Sequence, residues 1–543
     1  MKCGSSTRIA LVGELEKMAT GTKWVLLAIT AFALLVPQGG SAETADDLFR
    51  DGKFLEAAQA YRSQLRHTPN DIAARLGLVR TLLRLDGVHW QEAIQEAATA
   101  VRLAPKDADA HGLYALALWR GGRVEEARAE TERSLQCDPK DYYGLVAQGK
   151  LYLWDNEDEK ATEVLQKAIE LYPQRDTAYA YWLMALPGEN YDQALLQKYL
   201  KAYLNLHPMG HPHNEIVHWL VHTRMKETQT AKPTMDWIGV SKDRVKAAED
   251  GSGPPITYTV PVEWQDGLMA LPVKINGQSF KLLFDTGASN VIALTRSAIE
   301  RLGLRSEGQT VARGVRGEEE TNVYRAHSVQ LGPQELQDYD IASVGDNSVP
   351  EDGIFGGANL KHCVVTISFQ ENTCTIVEGK NATAPPPLAG DIITSVPFHL
   401  FQGYIFLPVL LGDRTRVEWA MLDTGAAPLG ILSLLTAREL ARKENVDSYK
   451  EVDLPLPLGV GSKNGTFRAL LFAFSIDLTL AHPQGSPFLM ELNPILGASI
   501  MEDLSQDFDF QLSALVGMPF LAHARRVTID YPHQILTLEL ANQ

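Results

Sequence analysis

The stretch "LLFDTGASNV" at residues 282–291 ends an apolar run in an Asp-Thr-Gly triplet, and the stretch "AMLDTGAAPL" at residues 420–429 repeats the pattern. An apolar run that ends at such a triplet is typical of a buried strand followed by a tight turn. One triplet alone arises easily by chance. The sequence on either side of each copy therefore decides whether the two are related.

The sequence before each triplet is also repeated. Residues 260–287 read "VPVEWQDGLMALPVKINGQSFKLLFDTG", and residues 396–425 read "VPFHLFQGYIFLPVLLGDRTRVEWAMLDTG". Both begin with Val-Pro, continue to a glycine and then to Leu-Pro-Val, and reach the triplet through a second apolar run, with two extra residues in the second copy. A strand, a turn and a second strand before the same triplet indicate an internal duplication.

The two copies also end alike. Residues 352–360 read "DGIFGGANL", residues 514–521 read "ALVGMPFL", and each is followed by alternating β-formers that predict a hairpin. One helix is expected after each triplet, at 297–302 and at 434–443. Short strands dominate the remainder, so we predict an all-β class with closed or sandwich-like lobes.

A different repeat fills the N-terminal half. Proline recurs at intervals near 34 residues, and an alanine precedes each of the first four prolines by twelve residues. This is the pattern of tetratricopeptide (TPR) repeats, in which small alanines permit close helix packing and proline ends the second helix. We predict a TPR solenoid over residues 44–225. The positions are Pro69, Pro105, Pro139, Pro173 and Pro208, with Ala57, Ala93, Ala127 and Ala161.

The role of the repeats stays open in the sequence. TPR arrays form extended surfaces that hold peptides or partner proteins. One interpretation is therefore a groove that binds a protein partner. The other is a spacer or stabilising cap without a ligand.

The duplicated half resembles aspartic proteases, in particular the retropepsin-like aspartyl protease domains found in many bacterial proteins. The resemblance covers residues 256–379 as lobe 1 and residues 392–543 as lobe 2, with residues 226–255 and the proline-rich residues 380–391 as linkers. It implies a multidomain protein: the α-helical TPR solenoid followed by an all-β bilobal protease of two retropepsin-like barrels. In that family, each lobe contributes one catalytic aspartate from its Asp-Thr-Gly loop.

The resemblance also assigns roles to individual residues. It makes Asp285 and Asp423 the catalytic dyad, and the hydroxyls of Thr286 and Thr424 bond across to the partner loop. A supporting turn lies under each loop, and a glycine hairpin forms a flap over the substrate. The other implied residues are Gly287, Ser289 and Gly425 in the loops, Ile354, Phe355, Gly356, Leu515, Val516 and Gly517 in the turns, and Gly314, Gly317, Gly459 and Gly461 in the flaps.

Two aspartates suit peptide hydrolysis because the reaction needs a base to activate water and an acid for the carbonyl oxygen. Adjacent carboxylates cannot both ionise cheaply, so they share one proton and titrate as a pair. We therefore expect an aspartic endopeptidase that acts on peptides or proteins, with no cofactor and no metal. The alternatives are a non-enzymatic barrel with tight loops, a peptide-binding scaffold with an inactive protease-like half, and lobes that pair between chains.

The two copies differ in two respects. Ser289 of the first copy can bond the outer carboxylate oxygen, whereas Ala427 stands at the matching place in the second copy. The interval from the triplet to the supporting turn is longer in the second copy, and the extra residues fall roughly within 477–510. We expect this insertion to be either a lobe-specific loop at the cleft or a surface excursion.

The N-terminus has the layout of a secretory signal peptide. Lys23 precedes an apolar segment at 24–36, and a small-residue site ends at Ala42. We expect removal of residues 1–42, with Met18 as an alternative start. The mature protein is then exported, periplasmic or extracellular, and has no stable membrane span. An uncleaved anchor helix is the alternative, although the apolar segment is short for one.

The composition excludes some classes of function. The net charge of −17 and the pI of about 5.3 speak against nucleic-acid binding. The histidines within 207–222 lack the spacing of a zinc motif and are interpreted as part of a capping helix. Cys363 and Cys374 are predicted to stay unpaired, because a hairpin turn near residues 370–372 would set Cys374 opposite Ser368.

Overall fold

The fold is a helical repeat region followed by two β-rich lobes. In this computed structural model, residues 43–542 are described except for 86–88, 174–177, 187–197, 200, 204, 206–233, 289–290, 315–316, 347–348, 350, 427–429, 447 and 456–465. The predicted signal peptide and the histidine-rich stretch therefore lie outside the described residues. Within the described ranges, no helix combines enough length with enough apolar character to cross a membrane.

Packed pairs of helices make up the repeat region. Asp71, Asp107 and Asp141 follow the repeat prolines closely, and each caps the first helix of a pair by accepting a hydrogen bond from a first-turn backbone N–H. The helices are α1 (Ala45–Arg50), α2 (Phe54–His67), α3 (Ile72–Leu82), α4 (Trp90–Leu103), α5 (Ala108–Arg120), α6 (Val124–Cys137), α7 (Tyr142–Trp154), α8 (Asp158–Leu171) and α9 (Ala178–Ala185).

Small residues set the distance between paired helices. A Cβ on Gly149 in α7 would lie 2.5 Å from Cγ of Leu165 in α8, so a larger residue here would force the Leu165 side chain to move. The four alanines that define the repeat are at most 1% exposed. The packing confirms the predicted helical repeats over residues 45–171.

The segment expected as a linker at 226–255 contains regular structure. Its elements are β1 (Thr234–Trp237) and α10 (Lys242–Asp250). Strand β1 joins the edge of the lobe 1 sheet, and α10 is held to the end of lobe 1 by a bond of 2.9 Å from the N–H of Lys380 to the carbonyl of Ala248. The segment is polar in sequence because its helix buries a single residue, Ala248, and therefore needs few apolar side chains.

Lobe 1 is a strongly curved sheet around an apolar core. Its elements are β2 (Ile256–Pro261), β3 (Glu263–Gln265), β4 (Leu268–Ile275), β5 (Gln278–Asp285), β6 (Ile292–Thr295), α11 (Arg296–Leu302), β7 (Ser306–Gly314), β8 (Gly317–Leu331), β9 (Gln334–Val344), β10 (Gly353–Gly356), β11 (Cys363–Ser368) and β12 (Thr373–Glu378). The main strand order is β1-β9-β6-β10-β5-β4-β8-β7, and an additional pairing of β8 with β9 closes most of the sheet on itself.

Lobe 2 repeats this plan with additions. Its elements are β13 (Ile392–Pro397), β14 (His399–Phe401), β15 (Tyr404–Leu411), β16 (Glu418–Asp423), β17 (Gly430–Ser433), α12 (Leu434–Lys443), β18 (Tyr449–Pro455), β19 (Thr466–Phe472), β20 (Ile476–Leu480), β21 (Gln484–Gly485), β22 (Leu489–Leu492), β23 (Ile495–Ala498), α13 (Ile500–Asp507), β24 (Ala514–Gly517), α14 (Met518–Leu521), β25 (Arg526–Asp530) and β26 (Ile535–Leu540). The main strand order is β18-β19-β23-β17-β24-β16-β15-β20-β22. The predicted helices after the triplets are α11 and α12.

A third sheet joins the two lobes. Its order is β2-β12-β11-β25-β26-β13-β21, so hairpins from both lobes pair side by side. At the junction, the hydroxyls of Thr366 and Thr528 lie 3.0 Å apart on β11 and β25. The two copies therefore meet within one chain.

The predicted register of the β11–β12 hairpin is wrong by one residue. Cys374 lies opposite Ile367 rather than Ser368, because the turn between the strands has four residues, 369–372. Both Cys363 and Cys374 are buried free thiols.

Lobe 2 packs against both of its neighbours. One apolar core runs through lobe 1 and into lobe 2, and a second runs from the repeat region into the other side of lobe 2. The insertion expected at 477–510 forms β20 to β23 and α13. Its end, with Phe508 and Phe510 buried, packs against the repeat region. This end of the insertion is therefore neither a loop at the cleft nor a surface excursion, and the prediction is wrong for it.

Candidate active site

The two Asp-Thr-Gly loops meet where the lobes join. The hydroxyl of Thr286 donates to the backbone carbonyl of Leu422 at 2.7 Å, and the hydroxyl of Thr424 donates to the carbonyl of Phe284 at 2.8 Å. Each hydroxyl also accepts a hydrogen bond of 3.0 Å from the backbone N–H of the opposite threonine. Because both threonines are at most 1% exposed, these four bonds brace one loop against the other away from water.

Equivalent strands carry the two aspartates to this junction. Asp285 ends β5 and Asp423 ends β16. The parallel strand β10 sets Gly356 opposite Asp285, and β24 sets Gly517 opposite Asp423 in the same way. The predicted supporting turns thus lie directly beside the loops. Their apolar residues, at most 5% exposed, are Ile354, Phe355, Leu515 and Val516.

The glycines of the triplets permit the close approach of the loops. A Cβ on Gly287 would lie 2.6–2.8 Å from the carboxyl atoms of Asp423, and a Cβ on Gly425 would lie 2.5–2.7 Å from those of Asp285. Each glycine also donates its backbone N–H to the aspartate of its own loop, at 2.8 Å for Gly287 and 3.0 Å for Gly425. A side chain at either position would push the two carboxyls apart.

The carboxyl groups are electrostatically unequal. Burial raises the pKa of Asp285, although hydrogen bonds from Asp423 and from loop N–H groups partly offset the rise. Burial and the neighbouring Asp285 carboxylate raise the pKa of Asp423 well above its ordinary value. Because the two carboxyls lie against each other, they titrate as a coupled pair, and these surroundings favour the proton on Asp423 over Asp285.

Some predicted site residues cannot be described. Ser289, Gly459 and Gly461 lie outside the described residues. Gly314 and Gly317 form the last backbone pair of the β7–β8 hairpin, which agrees with the hairpin expected there. In the described part of the chain, no group of three His, Cys, Asp or Glu side chains is arranged to hold a metal ion.

One contact near the site was missed by sequence reasoning. Trp419, four residues before Asp423, packs against the repeat region, and its indole N–H donates to the carbonyl of Gly122 at 3.1 Å. The matching residue in lobe 1 is Lys281. A tryptophan in place of an exposed lysine is the sequence signal that could have indicated a covered face.

Comparison with known proteins agrees with both halves of this architecture. Residues 271–358 match the family described as aspartyl protease, and residues 85–142 match the tetratricopeptide repeat family. The chain carries an aspartyl protease domain and TPR repeats. The protease match includes the first Asp-Thr-Gly loop and its supporting turn.

Comparison also found similar solved structures and one similar curated protein. A crystal structure of the MamA protein is 23% identical and covers 30% of this chain and 88% of that one, with a TM-score of 0.21. The structure of TTC0263, a thermophilic TPR protein in Thermus thermophilus, is 19% identical and covers 34% and 95%, with a TM-score of 0.28. A curated relative, the protein CTR9 homolog of Arabidopsis thaliana, is 28% identical over 138 residues, which are 25% of this chain and 12% of that protein.

Proposed function

We propose that this protein is an aspartic endopeptidase that hydrolyses peptide bonds with a water activated by Asp285 and Asp423. The observation that carries the proposal is the pair of mutually braced loops, which hold the two carboxyls against each other so that they titrate as a pair. The brace comes from Thr286 and Thr424. Such a pair contains both a base and an acid at the same pH, as this reaction requires.

The chemistry follows from the unequal pKa values. Ionised Asp285 takes a proton from water while the water oxygen attacks the peptide carbonyl carbon, and Asp423 gives its proton to the carbonyl oxygen. The resulting geminal diol collapses when Asp285 passes its proton to the amide nitrogen, the C–N bond breaks, and Asp423 takes a proton from one hydroxyl of the diol. The products are a carboxylic acid and an amine, and the dyad again holds one proton.

The difference between the loops supports this assignment of acid and base. Ser289 follows Asp285 by four residues, and Ala427 stands at the same distance from Asp423. A serine hydroxyl bonded to the Asp285 carboxylate would favour its ionised form, because a hydrogen bond to a carboxylate lowers its pKa. We therefore assign the base role to Asp285 and the acid role to Asp423.

We further propose that the protein works outside the cytoplasm, in the periplasm or beyond the cell. The signal-peptide layout of residues 1–42 supports export. The TPR domain is proposed as an adaptor for the substrate or for a partner protein, a role typical of such arrays. N-terminal sequencing of the mature protein, with Glu43 as the expected first residue, tests the export proposal.

The enzymatic proposal is tested with a denatured protein substrate. The wild-type chain should cleave it, pepstatin should block cleavage, and Asp285→Asn should remove it while the thermal unfolding curve is retained. Cleavage that survives the substitution would refute the assignment of Asp285. Saturable peptide binding without cleavage by the wild-type chain would instead favour a peptide-binding scaffold.

A further inference from the structure

Lobe 2 covers the face made by the first helices of three successive repeats, α5, α7 and α9. Asp509, at the end of the lobe 2 insertion, inserts its carboxylate between them. The carboxylate accepts hydrogen bonds from the ammonium of Lys150 and the hydroxyl of Tyr179, and it lies 3.4 Å from Nε of Arg120. The indole N–H of Trp119 donates to the backbone carbonyl of Asp509 at 3.0 Å. Three donors from three repeat helices therefore surround this carboxylate.

Aromatic rings surround this polar contact. Trp154 of α7 stacks on Phe510 with the ring centroids 5.0 Å apart, and on His399 at 4.5 Å. It also meets the edges of Trp419 at 4.9 Å and Phe406 at 5.4 Å. Trp154, Phe406 and Phe510 are completely buried. Aromatic contacts of this kind bury large apolar areas in a fixed geometry, so the two domains share one interior.

The contact extends to the strands that carry Asp423. The carbonyl of Gly122, in the turn after α5, accepts the indole N–H of Trp419 at 3.1 Å. The carbonyl of Arg120, the last residue of α5, accepts the backbone N–H of Gln511 at 2.9 Å. Trp419 lies on β16, which ends at Asp423. Gln511 lies just before β24, which supplies the supporting turn. The end of α5 and the turn after it therefore fix both strands at the ends opposite the loop.

We propose that the TPR domain is a positioning element for the Asp423 loop and that residues 508–511 are the ligand bound to its first-helix face. The active-site consequence rests on the proposed peptidase function, whereas the effect on the loop does not. Because this face is occupied from within the chain, an outside partner would have to bind another part of the array.

Two glycines give a matched test of this proposal. Gly52 and Gly122 occupy the same place in the turns of two repeats, with φ of 75° and 70°, so alanine meets similar backbone strain at both. Gly122 faces lobe 2, and a Cβ there would lie 2.9 Å from the backbone oxygen of Gln511. Gly122→Ala should therefore disturb the contact with lobe 2, and Gly52→Ala should report the strain alone.

The first readout is hydrogen–deuterium exchange in the full chain. Exchange of residues 418–426 should become about tenfold faster in Gly122→Ala and remain as in the wild type in Gly52→Ala. Residues 280–288 of lobe 1 serve as the internal reference and should not change. Trp419→Phe keeps a ring but removes the bond to Gly122, so this milder variant should give a smaller change in the same segment.

The second readout is association after the chain is cut. A site for a specific protease is introduced within residues 206–233, and the two pieces of the cut wild-type protein should elute together at high salt. Separation of the pieces would overturn the proposal, as would equal exchange of residues 418–426 in the two glycine variants.

Activity provides the third readout. For the cleavage of a denatured protein, Gly122→Ala should lower kcat about tenfold with KM little changed, since a misplaced catalytic group impairs the reaction more than binding. Unchanged kcat would overturn the positioning role. If the wild-type chain cleaves nothing but the exchange difference is found, the peptidase proposal fails and the contact of the TPR domain with the Asp423 loop stands.

Discussion

Lobe 1 and lobe 2 hold the same catalytic loop in different surroundings. Four residues before the aspartate, lobe 1 has Lys281, which is exposed and forms an ion pair of 2.5 Å with Glu263. At the matching place, lobe 2 has Trp419, which is 8% exposed and packed under the TPR domain. The loops themselves are nearly identical in their hydrogen bonds. The duplication has therefore kept the inner ends of the strands and changed the outer ends.

The segment that leads into the supporting turn shows the same contrast. In lobe 1, Asp352 exchanges hydrogen bonds of 3.0 Å with the backbone of Lys281 and pairs with Arg301 at 2.7 Å. In lobe 2, Ser513 donates its N–H to the carbonyl of Trp419 at 3.0 Å and its hydroxyl to Glu418. At this point each lobe supports its loop from within, and lobe 2 adds a neighbouring domain through the bond from the N–H of Gln511 to the carbonyl of Arg120.

The largest expected effect tests whether the aspartates of the two lobes contribute equally to catalysis. Asp285→Asn and Asp423→Asn should each lower kcat for peptide cleavage about 10²–10⁴-fold, because each removes one member of the acid–base pair. The control is Asp477→Asn, an exposed aspartate of lobe 2, which should keep the wild-type rate. Substantial activity in only one of the two dyad variants would show that the lobes are not equal partners.

Mixing the two dyad variants sharpens the same point. Every chain in the mixture carries one changed aspartate, and each cleft is formed within one chain by Thr286 and Thr424. The mixture should therefore stay inactive. Recovered activity, with domain exchange excluded by light scattering, would mean that lobes pair between chains.

The next prediction compares the stability contributed by the outer ends of β16 and β5. Trp419→Ala should lower the free energy of unfolding by about 3–5 kcal/mol, as expected for the loss of a large buried aromatic ring. Lys281→Ala should change it by less than about 0.5 kcal/mol, because the side chain is exposed. Urea denaturation of both variants gives the comparison. Similar losses in the two variants would contradict the difference described above.

The inner brace should behave symmetrically. Thr286→Val and Thr424→Val should each lower the free energy of unfolding by about 1–3 kcal/mol, since each leaves a buried carbonyl and a buried N–H without partners. Thr286→Ser and Thr424→Ser retain the hydroxyl and should lose much less. Thermal unfolding of the four variants measures this, and a large inequality between the two valine variants would refute the symmetry of the brace.

The smallest effect concerns pH. Burial raises the pKa of Glu378 in lobe 1 and of Glu502 in lobe 2 from 4.5 to about 7. A carboxyl with a raised folded-state pKa adds stability below its unfolded pKa and loses that stability as pH rises towards 7. Glu378→Gln and Glu502→Gln should each flatten the decline in stability between pH 4.5 and 7. The exposed Glu491→Gln should not alter it, and an unchanged slope in both buried variants would contradict the assignment.

The sequence predicts local patterns of this molecule well. The interval near 34 residues, with its alanines, predicts the helical repeats because each repeat packs mainly on its neighbours. The duplicated frame predicts the two lobes and the helices α11 and α12. The resemblance to aspartic proteases implies the meeting of Thr286 with Thr424.

The contact between the domains could not be predicted in the same way. Trp119 and Trp154 lie on α5 and α7, and nothing in their spacing points to Phe406 or Phe510, which lie more than 200 residues away. Likewise, the polar composition of residues 234–250 hides a strand and a helix that pack through few side chains. The register of Cys374 depended on the length of a turn, which periodicity does not define.

The sheet between the lobes can be completed only late in the synthesis of the chain. Strand β25 lies between β11 of lobe 1 and β26 of lobe 2, so residues 526–540 complete the sheet that joins the lobes. While a ribosome is still adding earlier residues, β11 has one edge that no strand of lobe 2 covers. In a chain synthesised only as far as residue 525, both triplets would be present, but the lobes would have to meet through the threonine brace and the shared apolar core without this sheet.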